Sequence, residues 1–212
     1  MEESEVQRVL DRARAGDASA VGELFERHRE RLERMVSLRL DHRLHKRVDP
    51  GDVLQEVFLE ATRRLEEYLR RPCMPFYLWL RFLACQRLQA LYRVHLGSHM
   101  RDVRREVPIA DLGFPEATSE ALAVQLMGTL TTPSQAAMRA EMKSQIASAL
   151  ESMDPSLREV IALRHFEDLS NAEAAQILAL DESTASKRYI RGLKRLREIL
   201  GRISGLSGIR GR

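Results

Sequence analysis

Apolar positions recur along this chain at three- and four-residue intervals, the spacing that lines one face of a helix. Val6, Val9, Leu10 and Ala13 mark a short first helix that ends at Gly16. Asp17 is placed to cap a second, with Val21, Leu24, Phe25, His28, Leu32 and Met35 on its apolar face. His28 there reads as a core or boundary histidine, since no partner sits at a metal-site spacing. Past the basic run Arg39 to Arg47, Asp49-Pro50 restarts a helix as N-cap and first residue, with Leu54, Val57, Phe58, Ala61 and Leu65 facing inward. A Pro-bracketed loop, Arg70-Arg-Pro-Cys-Met-Pro75, leads into Phe76-Tyr-Leu-Trp-Leu-Arg-Phe-Leu-Ala84, a helix that continues to Arg93.

Residues 170–200 carry the sharpest local signals. Ser170 with Glu173 forms a capping box, in which two otherwise unpaired N–H groups find partners. Ala174, Ala175, Ile177 and Leu178 are small or apolar enough for another helix to cross closely. Asp181 then caps a longer helix. On its wheel Ala185, Tyr189, Leu193, Leu196 and Leu200 form an apolar stripe, while Lys187, Arg191, Lys194 and Arg195 lie roughly opposite, flanked by Thr184 and Arg188. A basic face alone reads as solvated surface. On the second helix of a helix-turn-helix it reads as a DNA recognition helix, whose first residues enter the major groove.

The pattern predicts an all-α protein of two small helical domains joined by a flexible acidic linker, the C-terminal domain being the helix-turn-helix. The expected boundaries are 1–105 for the first domain, 106–132 for the linker, 133–200 for the second domain and 201–212 for a basic, disordered tail. Hydrophobic residues make up 44% and charged residues 31%, which excludes a disordered chain. The net charge of +3 says less than its distribution. Arg81 to Arg105 holds six Arg against one acid, and Asp181 to Arg212 nine basic residues against three. Glu106 to Met138, between them, holds four acids and no Lys or Arg. Two basic patches parted by an acidic strip suggest two nucleic-acid contacts.

Other chemistries find little support. No apolar run approaches the ~20 residues that span a membrane, and the acidic start MEESEVQRVL is unlike a signal peptide. Two cysteines give no disulfide framework, in keeping with a cytoplasmic location. Cys73, Cys85, His95 and His99 have the letters of a zinc site, but the cysteines stand twelve apart rather than in a knuckle, so no metal is expected. No Gly-rich phosphate loop, nucleophile elbow or pair of catalytic carboxylates points to an enzyme or a cofactor.

Asp52, Gln55, Glu56 and Phe58 fit D-x-x-Q-E-x-F, and Trp79-Leu80-Arg81-Phe82-Leu83-Ala84-Cys85-Gln86 follows W-L-x-x-I-A-x-N. With the helix-turn-helix and the upstream Asp154-Pro155, Leu157-Arg158-Glu159-Val160 and Leu163-Arg164, these segments resemble the bacterial RNA polymerase sigma factors of the extracytoplasmic-function (ECF) group, over roughly Asp17 to Leu200. Departures are Gln86 for Asn, Ala90 for Asp, Ala179 for a turn Gly and Ala185 for Val.

The resemblance implies a transcription initiation factor with core RNA polymerase (its β′ coiled coil and β flap) and promoter DNA as partners, and an anti-sigma protein as a further one. It implies that Asp52, Gln55, Glu56 and Phe58 bind the polymerase. Pro75, Phe76, Tyr77, Trp79, Arg81, Gln86 and Arg87 would handle the melted −10 element, where aromatic rings can stack on unpaired bases. Trp79 fits a core position equally well. Ser183, Thr184, Lys187, Arg188 and Arg191 would read the −35 element, Arg through paired bonds to guanine. The alternative is a stand-alone helix-turn-helix regulator, a dimer binding duplex DNA unaided.

Overall fold

A computed structural model describes residues 2–17, 19–41, 43–44, 47–96, 115–130 and 136–203. Among them every regular element is helical: α1 (Glu2–Arg14), α2 (Ala20–Arg39), α3 (Pro50–Arg70), α4 (Phe76–Leu96), α5 (Ser119–Leu130), α6 (Ala136–Glu151), α7 (Pro155–Ile161), α8 (Asn171–Ile177) and α9 (Glu182–Leu200). No described helix is long and apolar enough to cross a membrane. The chain divides into two compact units, one of Met1–Ser37 with Arg43–Asp102, the other of Leu38–His42 with Val103–Arg212.

In the first unit α1 to α4 bury the expected faces. Val9 and Leu10 of α1, Leu24, Phe25, Leu32 and Met35 of α2, and Leu54, Val57 and Ala61 of α3 are all buried. The Asp49 carboxylate accepts from the Gly51 N–H at 2.7 Å and Pro50 opens α3, so the cap read from sequence is present. His28 lies on the inner side of α2, its ring 5.5 Å from that of Tyr77 and 6.1 Å from that of Phe76. It is packed among aromatic rings, as a boundary histidine should be.

The second unit departs from expectation over residues 106–132, which were read as linker. Their second half holds α5, whose Leu122, Ala123, Leu126 and Met127 recur at helical spacing and pack with Ile146, Leu150 and Met153 in one core. The first half, through Phe114, and Thr132-Pro-Ser-Gln135, the expected start of the C-terminal domain, lie outside the described residues. At the other end the core runs past Leu200, because Ile203 is buried in it; residues 204–212 of the expected tail lie outside the described set.

A buried charge cluster also belongs to this unit. The Arg39 guanidinium, 1% exposed, donates to the carboxylates of Glu159 and of Glu167, the latter with no exposed surface. Glu159 accepts in addition from the Ala117 N–H at 3.1 Å. An Arg can be taken out of water at this cost only when its charge and its N–H groups are matched in this way. Read from sequence, Arg39 merely opened a basic surface run; its partners lie 120 and 128 residues away. α7 ends in a π-helical turn, Ala162–Phe166, and Asp168 after it adopts φ +53°, a conformation Asp tolerates. This irregular turn brings the chain round to Ser170, where the helix-turn-helix begins.

Candidate nucleic-acid interface

Local hydrogen bonding sets the helix-turn-helix. The Glu173 N–H donates to Ser170 Oγ at 3.1 Å, and the Ser170 N–H donates to Glu173 Oε2 at 2.7 Å, completing the box. The turn reverses at Ala179, with φ +49° where glycine is usual. The Thr184 N–H and hydroxyl both donate to the Asp181 carboxylate, at 2.8 and 2.7 Å. Those bonds hold Asp181 below the usual carboxylate range, the hydroxyl contributing most. Asn171 Nδ2 donates to the Glu182 carbonyl at 2.9 Å and ties the start of α8 to the start of α9.

The buried stripe of α9 is Ala185, Gly192, Leu196 and Ile199, rotated from the expected one. Gly192 is the reason. A Cβ at that position would lie 3.1 Å from the Leu157 carbonyl oxygen and 3.1 Å from Ile161 side-chain atoms, so any larger residue would push α7 and α9 apart by a few tenths of an ångström. Leu193 and Ile190 are exposed, Ile190 at 51%. Tyr189 is half-buried, with the Arg164 guanidinium 5.3 Å from its ring centroid.

Of the residues expected to read DNA, Ser183, Lys187 and Arg191 are exposed on one face of α9, in line with Lys194 and Ile190. Thr184 and Arg188 are half-buried and stand off that face. The Thr184 hydroxyl proton is committed to the Asp181 cap. The charge of Arg188 is felt at Asp154, the N-cap of α7, whose carboxyl is held low first by the Ser156 hydroxyl and amide. The exposed face is therefore narrower than the sequence suggested, and it is cationic and continuous.

In the first unit, Asp52, Gln55 and Glu56 are exposed along one edge of α3. Phe58 is not part of that edge. Its ring, half-buried, meets Phe25 edge-on at 5.1 Å. Leu59 is the residue the sequence reading missed: 53% exposed and one turn beyond Gln55, it adds an apolar contact to the acidic edge. The available signal was an apolar side chain off the buried Leu54–Val57–Ala61 stripe.

The aromatic start of α4 lies inside the fold. Phe76, Tyr77, Trp79 and Arg81 are buried, with Trp79 7% and Arg81 4% exposed, so none offers a ring face or guanidinium to a base in this conformation. The reason is an aromatic cluster the sequence could not assemble. Tyr68, from the end of α3, stacks on Trp79 with centroids 4.6 Å apart and meets Phe76 edge-on at 5.5 Å. The Arg31 guanidinium lies 3.8 Å from the Tyr77 ring centroid. What remains accessible is the loop, with Arg70, Arg71, Pro72, Cys73 and Pro75 exposed, together with half-buried Gln86 and Arg87 on α4.

Comparison with known proteins bears on both units. Residues 143–196 match the family described as Sigma-70, region 4, the stretch that contains the helix-turn-helix. The ECF RNA polymerase sigma-E factor of Escherichia coli (strain K12) is 28% identical over 185 residues, 87% of this chain and 88% of that protein. The sigma-E factor of Haemophilus influenzae is 24% identical over 188 residues, covering 87% and 89%. Among solved structures, CnrH in complex with the cytosolic domain of CnrY shares the fold, with a TM-score of 0.54, 24% identity and coverage of 92% of this chain and 97% of that one. Helix order, the capped helix-turn-helix and similarity along most of the chain agree in likening it to the extracytoplasmic-function group of RNA polymerase sigma factors.

Proposed function

We propose that this chain binds core RNA polymerase and directs it to promoters in the cytoplasm, the two units dividing the work. The α3 edge of Asp52, Gln55 and Glu56, with Leu59, docks on the polymerase. The loop Arg70 to Pro75, with Gln86 and Arg87, meets the unpaired strand of the −10 element. The face of Ser183, Lys187 and Arg191 enters the major groove at −35, with Lys194 on phosphate. Trp79, Phe76, Tyr77 and Arg81 act as the packed base under the loop rather than as contacts.

The observation that carries this reading is the α9 face. A helix positioned by two caps and a glycine crossing presents Ser183, Lys187, Arg191 and Lys194, with Ile190 among them, while its opposite side is locked in the core. Such a face suits a polyanion that also displays hydrogen-bonding edges, which is duplex DNA. Footprinting of the reconstituted holoenzyme tests it. Lys187→Glu should abolish protection upstream of the start site while leaving binding to core polymerase intact. Unchanged upstream protection by that variant would remove α9 from the −35 contact.

A further inference from the structure

The loop between α3 and α4 is held at three points. The Arg71 N–H donates to the Glu67 carbonyl at 3.2 Å, and the Trp79 N–H donates to the Pro75 carbonyl at 3.1 Å. Between these backbone ties, the Tyr68 hydroxyl donates to the Met74 carbonyl at 3.0 Å. That bond is the one side-chain tie among the three, and it comes from a ring that cannot shift easily. Tyr68 is 6% exposed, stacked on Trp79 at 4.6 Å and met edge-on by Phe76 at 5.5 Å. Pro72 and Pro75 restrict the backbone on either side of Met74. Outside these anchors Arg71, Pro72 and Cys73 are exposed.

We propose that Tyr68 is a positioning residue for strand capture: its hydroxyl fixes the Met74 carbonyl, so that Arg71, Pro72 and Cys73 present a preformed edge to the unpaired strand. This rests on the reading of the loop as the −10 contact. The physical argument is pre-organisation, since a loop ordered only on binding pays its conformational entropy at that moment. The buried aromatic cluster is then useful to the DNA contact although none of its rings touches DNA. Burial pushes the Tyr68 phenol up to about 12, so the hydroxyl keeps its proton, and remains a donor, throughout the working pH range.

The variant that isolates the bond is Tyr68→Phe, which keeps the ring and removes the hydroxyl. Two readouts are needed. A nitroxide attached to Cys73 reports loop motion, because Cys73 is exposed and Cys85 is buried. Holoenzyme affinity for a fluorescein-labelled, mixed-sequence single-stranded oligodeoxynucleotide of about 12 nucleotides reports strand capture. Tyr68→Phe should increase nitroxide mobility and weaken strand binding by about 2- to 10-fold, the range expected for one hydrogen bond. Core affinity and melting temperature should stay close to wild type.

An unchanged nitroxide spectrum in Tyr68→Phe overturns the proposal whatever the oligonucleotide does. Arg71→Ala separates the remaining outcomes. If Arg71→Ala weakens strand binding and Tyr68→Phe does not, the loop is the strand contact but Tyr68 does not position it, and the proposal fails alone. If neither variant affects strand binding, the loop does not meet the strand, and the reading beneath the proposal fails with it.

Discussion

Arg87 Nη2 donates to Glu56 Oε1 at 2.6 Å, joining the exposed edge of α3 to the middle of α4. The residue proposed to meet the polymerase is therefore paired with one proposed to meet DNA. Both side chains are partly exposed, and pairs of this kind contribute about 0–1 kcal/mol to stability. On the proposed reading the pair matters more for competition, because a polymerase group that paired with Glu56 would release Arg87.

Gln55→Ala with Glu56→Ala should lower affinity for core polymerase at least tenfold, about 1.4 kcal/mol, and Leu59→Ser should weaken it further. Helical content should be unchanged, since all three side chains are exposed. Arg87→Ala should leave core binding equal to wild type or tighter while weakening strand binding. Fluorescence titration of core polymerase checks each variant; wild-type affinity in the double mutant removes the docking assignment.

On α9, Lys187→Ala should reduce discrimination between promoter and unrelated DNA by about 1–3 kcal/mol, as expected for loss of a base-edge contact. Lys194→Ala, further along the helix, should weaken binding to all sequences alike and flatten its salt dependence. Competition assays over a salt series with the holoenzyme separate the two behaviours. Uniform loss from both variants would make the helix a phosphate contact only.

Two backbone substitutions test the frame that holds α9. Ala179→Gly removes the left-handed penalty at φ +49° and should stabilise the protein by up to about 1 kcal/mol, the relief being offset in part by the greater freedom of glycine in the unfolded chain. Thermal unfolding should show a small rise in midpoint.

Gly192→Ala should act in the opposite direction. Its new methyl meets the Leu157 carbonyl and Ile161, and overpacking of this kind costs about 1–3 kcal/mol. Ile161→Val should recover part of that loss, because it removes the terminal Cδ1 that the methyl would meet. A variant as stable as wild type would mean that the α7–α9 crossing is not limited by position 192.

Features governed by neighbours in sequence were legible beforehand. The caps at Asp49, Ser170 and Asp181 and the left-handed turn at Ala179 follow from hydrogen bonds and sterics within four residues. What was not legible depends on distant partners. Phe76, Tyr77 and Trp79 interleaved with Arg fit a stacking surface as well as a core, and Tyr68 and Arg31, brought together only by folding, decide between them. Arg39 opened a basic run in the sequence, and Glu159 and Glu167 make it interior. α5 was obscured by Pro115 and Gly128 near its ends and by the acids before it, though Leu122, Leu126 and Met127 were in register. The wheel of α9 placed its cations correctly and missed by about one residue on the apolar side, because it gave Gly192 no contact of its own.

On the proposed reading this chain acts through polymerase rather than as a regulator that binds DNA by itself. Its α9 face offers few side chains to the major groove, and the loop at Pro75 can meet a strand only after the duplex has opened, at a cost of a few kcal/mol per unstacked base. The direct measurement is a mobility-shift titration across a promoter library with and without core RNA polymerase, read beside run-off transcripts from the same templates. The free protein should bind weakly, with specific complexes and discrete transcripts only when core enzyme is present. Tight sequence-specific binding by a dimer of this chain alone, with no transcript initiated on adding core enzyme, would contradict it.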